Sequence, residues 1–362
     1  MRILFATADS DGPQGWWRAH VPAAMLRARG HDAHACAMVT VDDRGRLRAT
    51  GTRTVLRPAQ VVILQGWYHP DAARLVAQAR RSGQVVLADL DDDVWNIPTD
   101  NPAHDAAKAW RPQLEQILDA VNGVIASTPA VAEQARRFNT TVHVARNGLP
   151  RSVIPTMDMR PEDGMPWVGW MSRTAYRSAD LELVAPALRA LPEQVRFVHY
   201  GTVEGDEPFA EVVGVDPARV ESHPWVHLEQ MIPLLHRCDV AVVPQVSSLF
   251  AEARSCATGL LWAATGVPFI ASPTAEYERL AAHGAGRTAT DSDASWQWLL
   301  SSLVLDERRR AELAVEGRRC FAAYAAESTI EQWVEATTHH LTCKHAAERK
   351  AVVGWPKGVR GG

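Results

Sequence analysis

Long apolar runs, paired cysteines and an excess of charge of one sign are all missing from this 362-residue sequence. No apolar stretch approaches the roughly 18 residues of a membrane-spanning helix. The first residues, MRILFATADS, lack the apolar core of a signal peptide. We therefore expect a cytoplasmic protein with no membrane span. The net charge of −4 does not indicate nucleic acid as a partner, although a local basic groove would not show in that sum.

Other signatures of ligand binding are missing as well. The sequence has no CxxC pair and an odd number of cysteines, which favours free thiols in a reducing compartment over a zinc site. The Gly-rich segment 11–18 has neither the GxGxxG spacing nor the P-loop lysine, which argues against NAD and ATP. The cysteines are Cys36, Cys238, Cys256, Cys320 and Cys343.

What the sequence does contain is a regular alternation of short apolar runs and helical segments. This pattern predicts an α/β fold with parallel sheets, and the length exceeds what one hydrophobic core usually supports. We predict strands at 3–6, 33–38, 61–64, 85–88, 123–126, 142–145, 167–170, 196–200, 240–244 and 269–271.

The pattern is interrupted at 150–166 by a proline-rich segment, which predicts a linker between two domains. We expect two doubly wound, Rossmann-like domains that face each other across a ligand cleft. The predicted units are an N-terminal domain over 1–155, a C-terminal domain over 156–325, a last helix over 326–342 that packs back on the N-terminal domain through Trp333, and a basic flexible tail over 343–362.

The stretch 239–272 predicts a complete βαβ unit, in which one helix of about four turns joins two buried strands. In such a unit the helix N-terminus points to the carboxyl ends of the strands. Its free N–H groups and its dipole favour a phosphate there. The unit therefore predicts a phosphorylated ligand.

Several segments, in their order and spacing, resemble a known family. They are GWWRAHVPAAMLRARGH, VVLADLDDDVWNIPTDNP, ASTPAVAEQ, VARNGLP, VGWMSRTAYRSADLELVAPAL and SPTAEYERL. The last of these follows the βαβ unit, and the others precede it. The chain resembles a glycosyltransferase of the two-Rossmann (GT-B) architecture, in the broad group 1 class and in a branch common in actinobacteria and their phages.

The resemblance implies transfer of a sugar from a nucleotide-diphosphate donor, held by the second domain, to an acceptor held by the first. Retention of configuration, no metal and no cofactor besides the nucleotide-sugar substrate are implied too. The acceptor stays open between a protein, a glycan and a modified DNA base. For the donor phosphates the resemblance points to Arg173, Arg177 and Arg254, and we place Ser172, Gly15 and Glu252 beside them.

One position departs from the family's pattern. Where relatives carry a carboxylate for the ribose hydroxyls, this chain has Leu261. Two alternatives therefore stay open: a GT-B protein that binds a sugar nucleotide or a partner with a degraded catalytic site, and a sugar-nucleotide epimerase.

The cluster Asp89, Asp91, Asp92 and Asp93 follows a buried strand. An Asp-x-Asp pair is the manganese motif of the other glycosyltransferase fold, but the GT-B resemblance implies no metal here. We predict Asp91, Asp92 and Asp93 as candidate catalytic carboxylates that take a proton from the acceptor, with capping of a turn as the structural alternative. The predicted acceptor-side residues are Arg18, His20, His69, Trp95 and Asn101.

Overall fold

The computed structural model describes residues 1–37, 39–41, 47–49, 59–66, 71–154, 164–290 and 292–353. They form two six-stranded sheets in which every neighbouring pair is parallel, and one small antiparallel hairpin. The predicted α/β architecture of two doubly wound domains is therefore confirmed. The hairpin strands are Val39–Val41 and Leu47–Ala49.

The N-terminal sheet is buried on both faces. Its central strands have no exposed residue, because successive side chains enter cores on opposite faces: Val62 and Leu64 on one, Val61 and Ile63 on the other. In order across the sheet the strands are Asp32–Ala37, Arg2–Thr7, Val61–Gln65, Val85–Leu90, Gly123–Ala126 and Val142–Val144.

The C-terminal sheet has the same design. Its fourth strand in the chain pairs with the first, so the strand order reverses between Trp167–Met171 and Val240–Val243. Parallel sheets leave a crevice at the carboxyl ends where the order reverses. In order across the sheet the strands are Val220–Pro224, Arg196–Thr202, Trp167–Met171, Val240–Val243, Phe269–Ala271 and Arg287–Thr288.

Helices cover both faces of each sheet. On the N-terminal domain they are Pro13–Gly15, the π-helix Trp16–His20, Val21–Ala28, Asp71–Arg81, His104–Ala120 and Pro129–Ala135. On the C-terminal domain they are Thr174–Arg189, Phe209–Val213, Leu228–Leu235, Leu249–Ala253, Ala257–Thr265, Ala275–Ala282, Asp293–Leu305 and Glu307–Tyr324, and the last helix is Ala326–Val353. Two short 3₁₀ turns lie at Arg151–Val153 and Pro217–Arg219. Within the described ranges no helix is both long and apolar enough to cross a membrane.

The helix predicted between the two strands of the βαβ unit is broken. It consists of Leu249–Ala253 and Ala257–Thr265, and Arg254 between them is extended, with φ −71° and ψ 147°. The carbonyl of Ala253 accepts a hydrogen bond of 2.7 Å from Thr128 Oγ1 of the N-terminal domain. The break therefore turns this carbonyl toward the other domain, where it finds a partner outside the helix.

A second difference lies after the strand Trp167–Met171. The sequence pattern predicts a helix over 180–191 here, but the helix begins at Thr174 and contains a non-helical turn at Arg177, with φ −143° and ψ 21°. The distorted turn carries the Arg177 side chain to Asp180, which accepts from it at 3.0 Å. The ion pair thus links the distorted turn to the next turn of the same helix.

The last helix lies on the N-terminal domain and extends beyond the predicted end at 342, to Val353. Trp333 is 2% exposed and meets the ring of Phe5 with centroids 5.6 Å apart. The guanidinium of Arg18 lies 4.7 Å from the centroid of the Trp333 ring. This helix therefore ties the end of the C-terminal domain to the core of the N-terminal one.

Three histidines meet where this helix crosses the sheet edge. The rings of His143 and His340 lie 5.3 Å apart, and His339 lies 5.2 Å from each. Burial, followed by the neighbouring histidines, lowers the pKa of His340 to about 4. Burial, followed by His339, also lowers the pKa of His143, and the carboxylate of Glu335 opposes the shift.

Because these histidines bind protons less readily when folded, their contribution to stability is complete above the ordinary pKa of 6.5 and is lost as the pH falls toward 4. We expect the urea concentration at the unfolding midpoint to decrease as the pH is lowered from about 7.5 to about 5. His340→Gln should flatten this dependence, whereas His34→Gln, at a side chain that is 67% exposed, should not. Equal slopes in all three proteins would contradict the assignment.

Candidate functional site

A cavity of about 210 Å³ lies in the crevice between the domains. The N-terminal domain contributes Asp100 and Asn101 to its wall, and the C-terminal domain contributes Tyr176, Arg177 and Asp180. All of these residues follow the carboxyl ends of strands, which is where ligands bind in doubly wound folds. The cavity therefore marks the candidate site.

The first of the clustered aspartates is held by an internal arginine. Asp89 accepts from Arg18 Nε at 3.1 Å and from Nη2 at 2.6 Å, and both side chains are fully buried. Arg18 Nη1 also donates to the carbonyl of Ala145 and to Asn147 Oδ1. Arg18, predicted on the acceptor side, has no exposed surface in this structure, so it acts on the crevice only through these partners.

Asp91 is the carboxylate whose proton affinity suits acid–base chemistry near neutral pH. Burial raises its pKa to about 7, with a further rise from the charge of Asp92 and a smaller one from Asp89. Arg18 and a hydrogen bond of 3.2 Å from Asn147 act in the opposite direction. A carboxyl balanced in this way can accept or release a proton at neutral pH.

Asp92 links the two domains electrostatically. Burial raises its pKa, while the positive charge of Arg177, from the C-terminal domain, and a hydrogen bond of 3.0 Å from Gln14 Nε2 lower it. The neighbouring Asp91 and Asp92 therefore have different partners, one within its own domain and one across the crevice. Such a pair can hold different protonation states.

Asp93 has a structural position. Its carboxylate is 1% exposed and accepts from the backbone N–H of Trp95 at 3.1 Å and from Asn96 Nδ2 at 2.7 Å. Trp95 itself stacks on Phe138 at 5.4 Å and donates to Glu115. These contacts fit the capping alternative for Asp93 and a packing role for Trp95.

A second, smaller cavity lies where the strand order of the C-terminal sheet reverses. Its wall includes Ser172, Arg177 and Arg254, together with Gln245. Gln245 Oε1 is buried without a hydrogen-bond partner in the described part of the chain, as is Thr274 Oγ1 at the start of the next helix. Buried polar atoms that have no partner in the protein are expected to bind water or a ligand.

The three predicted donor arginines differ in how they are paired. Arg173 forms two hydrogen bonds with Asp206, at 3.0 and 2.8 Å, and Arg177 is paired with Asp180. No carboxylate among the described residues pairs with Arg254, whose guanidinium lies 5.8 Å from the ring centroid of Phe250. Arg254 is therefore the arginine with the most capacity left for an anion.

Other predicted residues are engaged in hydrogen bonds within the protein. The backbone N–H of Gly15 points at Asp9 Oδ2, at 3.3 Å, and His20 Nε2 lies 2.9 Å from the carbonyl of Ser10. Glu252 accepts from the backbone N–H of Ala275 at 3.3 Å. Asn101 caps its own turn through Ala103, and His69 lies outside the described residues.

Leu261 is buried in the C-terminal core and is 1% exposed. The position at which relatives are expected to carry a carboxylate is therefore filled by an apolar side chain. Within the described ranges no group of three or more His, Cys, Asp or Glu is arranged to hold a metal ion.

Several residues at the site, Asn147 and Ser255 among them, were not predicted from the sequence. Asn147 Nδ2 donates to Asp91 Oδ1 at 3.2 Å and to Ser255 Oγ of the other domain at 3.0 Å. Asn147 follows the strand Val142–Val144 and Ser255 follows Arg254. The only available signal was their place after a strand or helix end, which many loop residues share.

No protein-family model matches the chain, and no curated protein matches it in sequence. Among solved structures it is similar to a sucrose-phosphate synthase from Thermosynechococcus elongatus, with TM-score 0.72 and 14% identity over 95% of this chain and 100% of that one. It is also similar to Anabaena HepE in complex with UDP-glucose, with TM-score 0.67 and 14% identity over 94% and 100% of the chains. A glycosyltransferase from Rickettsia africae follows, with TM-score 0.65 and 12% identity over 94% and 98%. These likenesses and the two facing doubly wound sheets show that the chain has the GT-B fold.

Proposed function

We propose that the protein is a glycosyltransferase that moves a sugar from a nucleotide-diphosphate donor to an acceptor hydroxyl. The observation that carries the proposal is the meeting of two kinds of charge in the crevice. Asp91 and Asp92 come from the N-terminal domain, and Arg177 and Arg254 come from the C-terminal domain. An anionic donor needs the second pair, and an attacking hydroxyl needs a carboxylate such as those of the first.

The donor is placed at the strand reversal of the C-terminal sheet. The arginine cations stabilise the negative charge that develops on the leaving diphosphate, so this function needs no metal. Gln245 Oε1, which has no partner among the described residues, accepts a hydrogen bond from a hydroxyl or N–H group of the nucleotide sugar. The solved structure of Anabaena HepE with UDP-glucose supports a uridine nucleotide as the first probe.

The acceptor enters from the side of the N-terminal domain. Asp91 accepts the proton of the acceptor hydroxyl as the bond from oxygen to the sugar carbon forms and the bond from that carbon to the diphosphate breaks. Retention of configuration and assignment to the branch common in actinobacteria and their phages remain predictions from the sequence resemblance. The choice among a protein, a glycan and a modified DNA base belongs with them.

UDP tests the proposal directly. In buffer with EDTA we expect UDP to raise the melting temperature, since a ligand at 100 times its Kd adds about 2.7 kcal/mol to the free energy of unfolding. UDP-glucose and other UDP-sugars should then be consumed slowly with water as acceptor. GDP, ADP and dTDP serve as parallel probes. If none of the four nucleotides raised the melting temperature, the proposal would be refuted.

The same assay separates the alternative. Stabilisation by a nucleotide without consumption of any nucleotide sugar would favour a binding protein with a degraded catalytic site. The buried Leu261 is the observation that supports this alternative. Conversion of the sugar with the nucleotide still attached would indicate an epimerase instead.

A further inference from the structure

A single amide joins the candidate catalytic carboxylate to the opposite domain. Asn147 Nδ2 has two N–H groups, and its two acceptors are Asp91 Oδ1 at 3.2 Å and Ser255 Oγ at 3.0 Å. Its Oδ1 accepts from Arg18 Nη1 at 3.0 Å. Asn147 is 7% exposed, so these three neighbours use most of its hydrogen-bonding capacity.

The orientation of this amide is fixed by chemistry. Arg18 can only donate, so the amide oxygen must face it and the NH₂ group must face Asp91 and Ser255. Arg18 is in turn held by Asp89 and by the carbonyl of Ala145. The network therefore has one satisfied arrangement, in which Asn147 donates to Asp91.

We propose that Asn147 is a positioning residue that holds Asp91 in place and couples it, through Ser255, to contact with the C-terminal domain. The inference rests on the proposed function for the role of Asp91, whereas the hydrogen bonds of Asn147 are independent of that function. Ser255 accepts from Asn147, so its own hydroxyl proton is available for a ligand in the crevice, next to Arg254. A ligand that accepts this proton polarises Ser255 and Asn147 in turn.

The charged groups around Asp91 set the direction of the effect. Asp92 and Asp89 raise its pKa, as burial does, whereas Arg18 and the Asn147 hydrogen bond lower it. Arg177, from the other domain, acts on the neighbouring Asp92. Removal of the Asn147 donor therefore leaves the ionised form of Asp91 less stabilised, and its titration midpoint must rise.

The test follows the carboxyl ¹³C signal of Asp91 as a function of pH, assigned with the Asp91→Asn variant. We expect a midpoint near 7 in the unaltered protein. Asn147→Ala should raise it by about one pH unit. Asn147→Asp, which fits the same space but adds a like charge, should raise it at least as far. Ser255→Ala should leave the midpoint of the free protein within about half a unit but remove any shift caused by UDP.

The control is Asn139→Ala. Asn139 also makes three hydrogen bonds, to Leu118, Val121 and Thr141, but lies away from the crevice. Asn139→Ala should lower the melting temperature, as we also expect of Asn147→Ala, and it should leave the titration midpoint of Asp91 unchanged. An unchanged midpoint in Asn147→Ala would overturn the inference even if UDP binds. Failure of UDP to bind would count against the proposed function while the titration without ligand still tests Asn147.

Discussion

Replacement of Asp91 by asparagine is expected to lower the rate of sugar transfer by about 10²- to 10⁴-fold, the usual contribution of a general base. The amide has nearly the shape of the carboxyl group and can still accept from Asn147, so the fold and the donor site should persist. The substitution removes the charge of the carboxylate together with its capacity to take a proton. Single-turnover rates with a saturating nucleotide sugar measure the effect apart from binding.

The pH dependence gives the same prediction a second readout. Since the pKa of Asp91 lies at about 7, the ionised base is lost as the pH falls through that value, and the rate should fall with it. Above that pH the rate should level off. In Asp91→Asn this limb should be absent, because the remaining slow reaction no longer depends on that proton.

Asp93→Asn is the matched control for this substitution. It removes the same charge two residues further on, where the carboxylate caps a turn through Trp95 and Asn96. Its effect should be a loss of about 1 kcal/mol in the free energy of unfolding, with the rate nearly unchanged. If Asp93→Asn and Asp91→Asn lowered the rate equally, the assignment of the base to Asp91 would be wrong.

The comparison of these aspartates shows what sequence can and cannot predict. Their place at the end of a buried strand was readable from the apolar run 85–88, and so was their position at a ligand-facing edge, although the strand itself extends to Leu90 and includes Asp89. Their different roles were not readable, because these depend on partners distant in sequence. Arg18 lies 71 residues from Asp89, and only the strand order of the sheet brings the two together.

The fold itself was more accessible than the site. Buried parallel strands are continuous apolar runs, and Gly123–Ala126 and Phe269–Ala271 were predicted with their observed ends. The broken helix at Arg254 was not predicted, since the carbonyl that the break frees is paired with Thr128, 125 residues away in sequence and in the other domain. Local pattern therefore predicts elements, whereas contacts between domains decide where the functional side chains point.

The second large effect concerns UDP binding by Arg254, which lies at the break in the helix, and by Arg177. Arg254→Ala should weaken binding of UDP by about 10- to 100-fold, since a hydrogen bond to a charged group contributes about 1.5–3 kcal/mol. Arg177→Ala should weaken it at least as much. The loss of Arg177 also leaves the buried Asp180 without its ion pair and places a negative charge beside the phosphates.

The two substitutions together should weaken UDP binding by about 10²- to 10⁴-fold if the two losses add. Titration calorimetry measures the single and double variants at fixed salt, since charge pairs are screened. Arg308→Ala serves as the control, because its side chain is 89% exposed on a distant helix. Arg173→Ala should have a smaller effect than either, since the Nε and Nη2 groups of Arg173 already donate to Asp206. If Arg173→Ala proved the most damaging, the diphosphate would lie nearer to Asp206 than to the strand reversal, and the donor site would have to be moved accordingly.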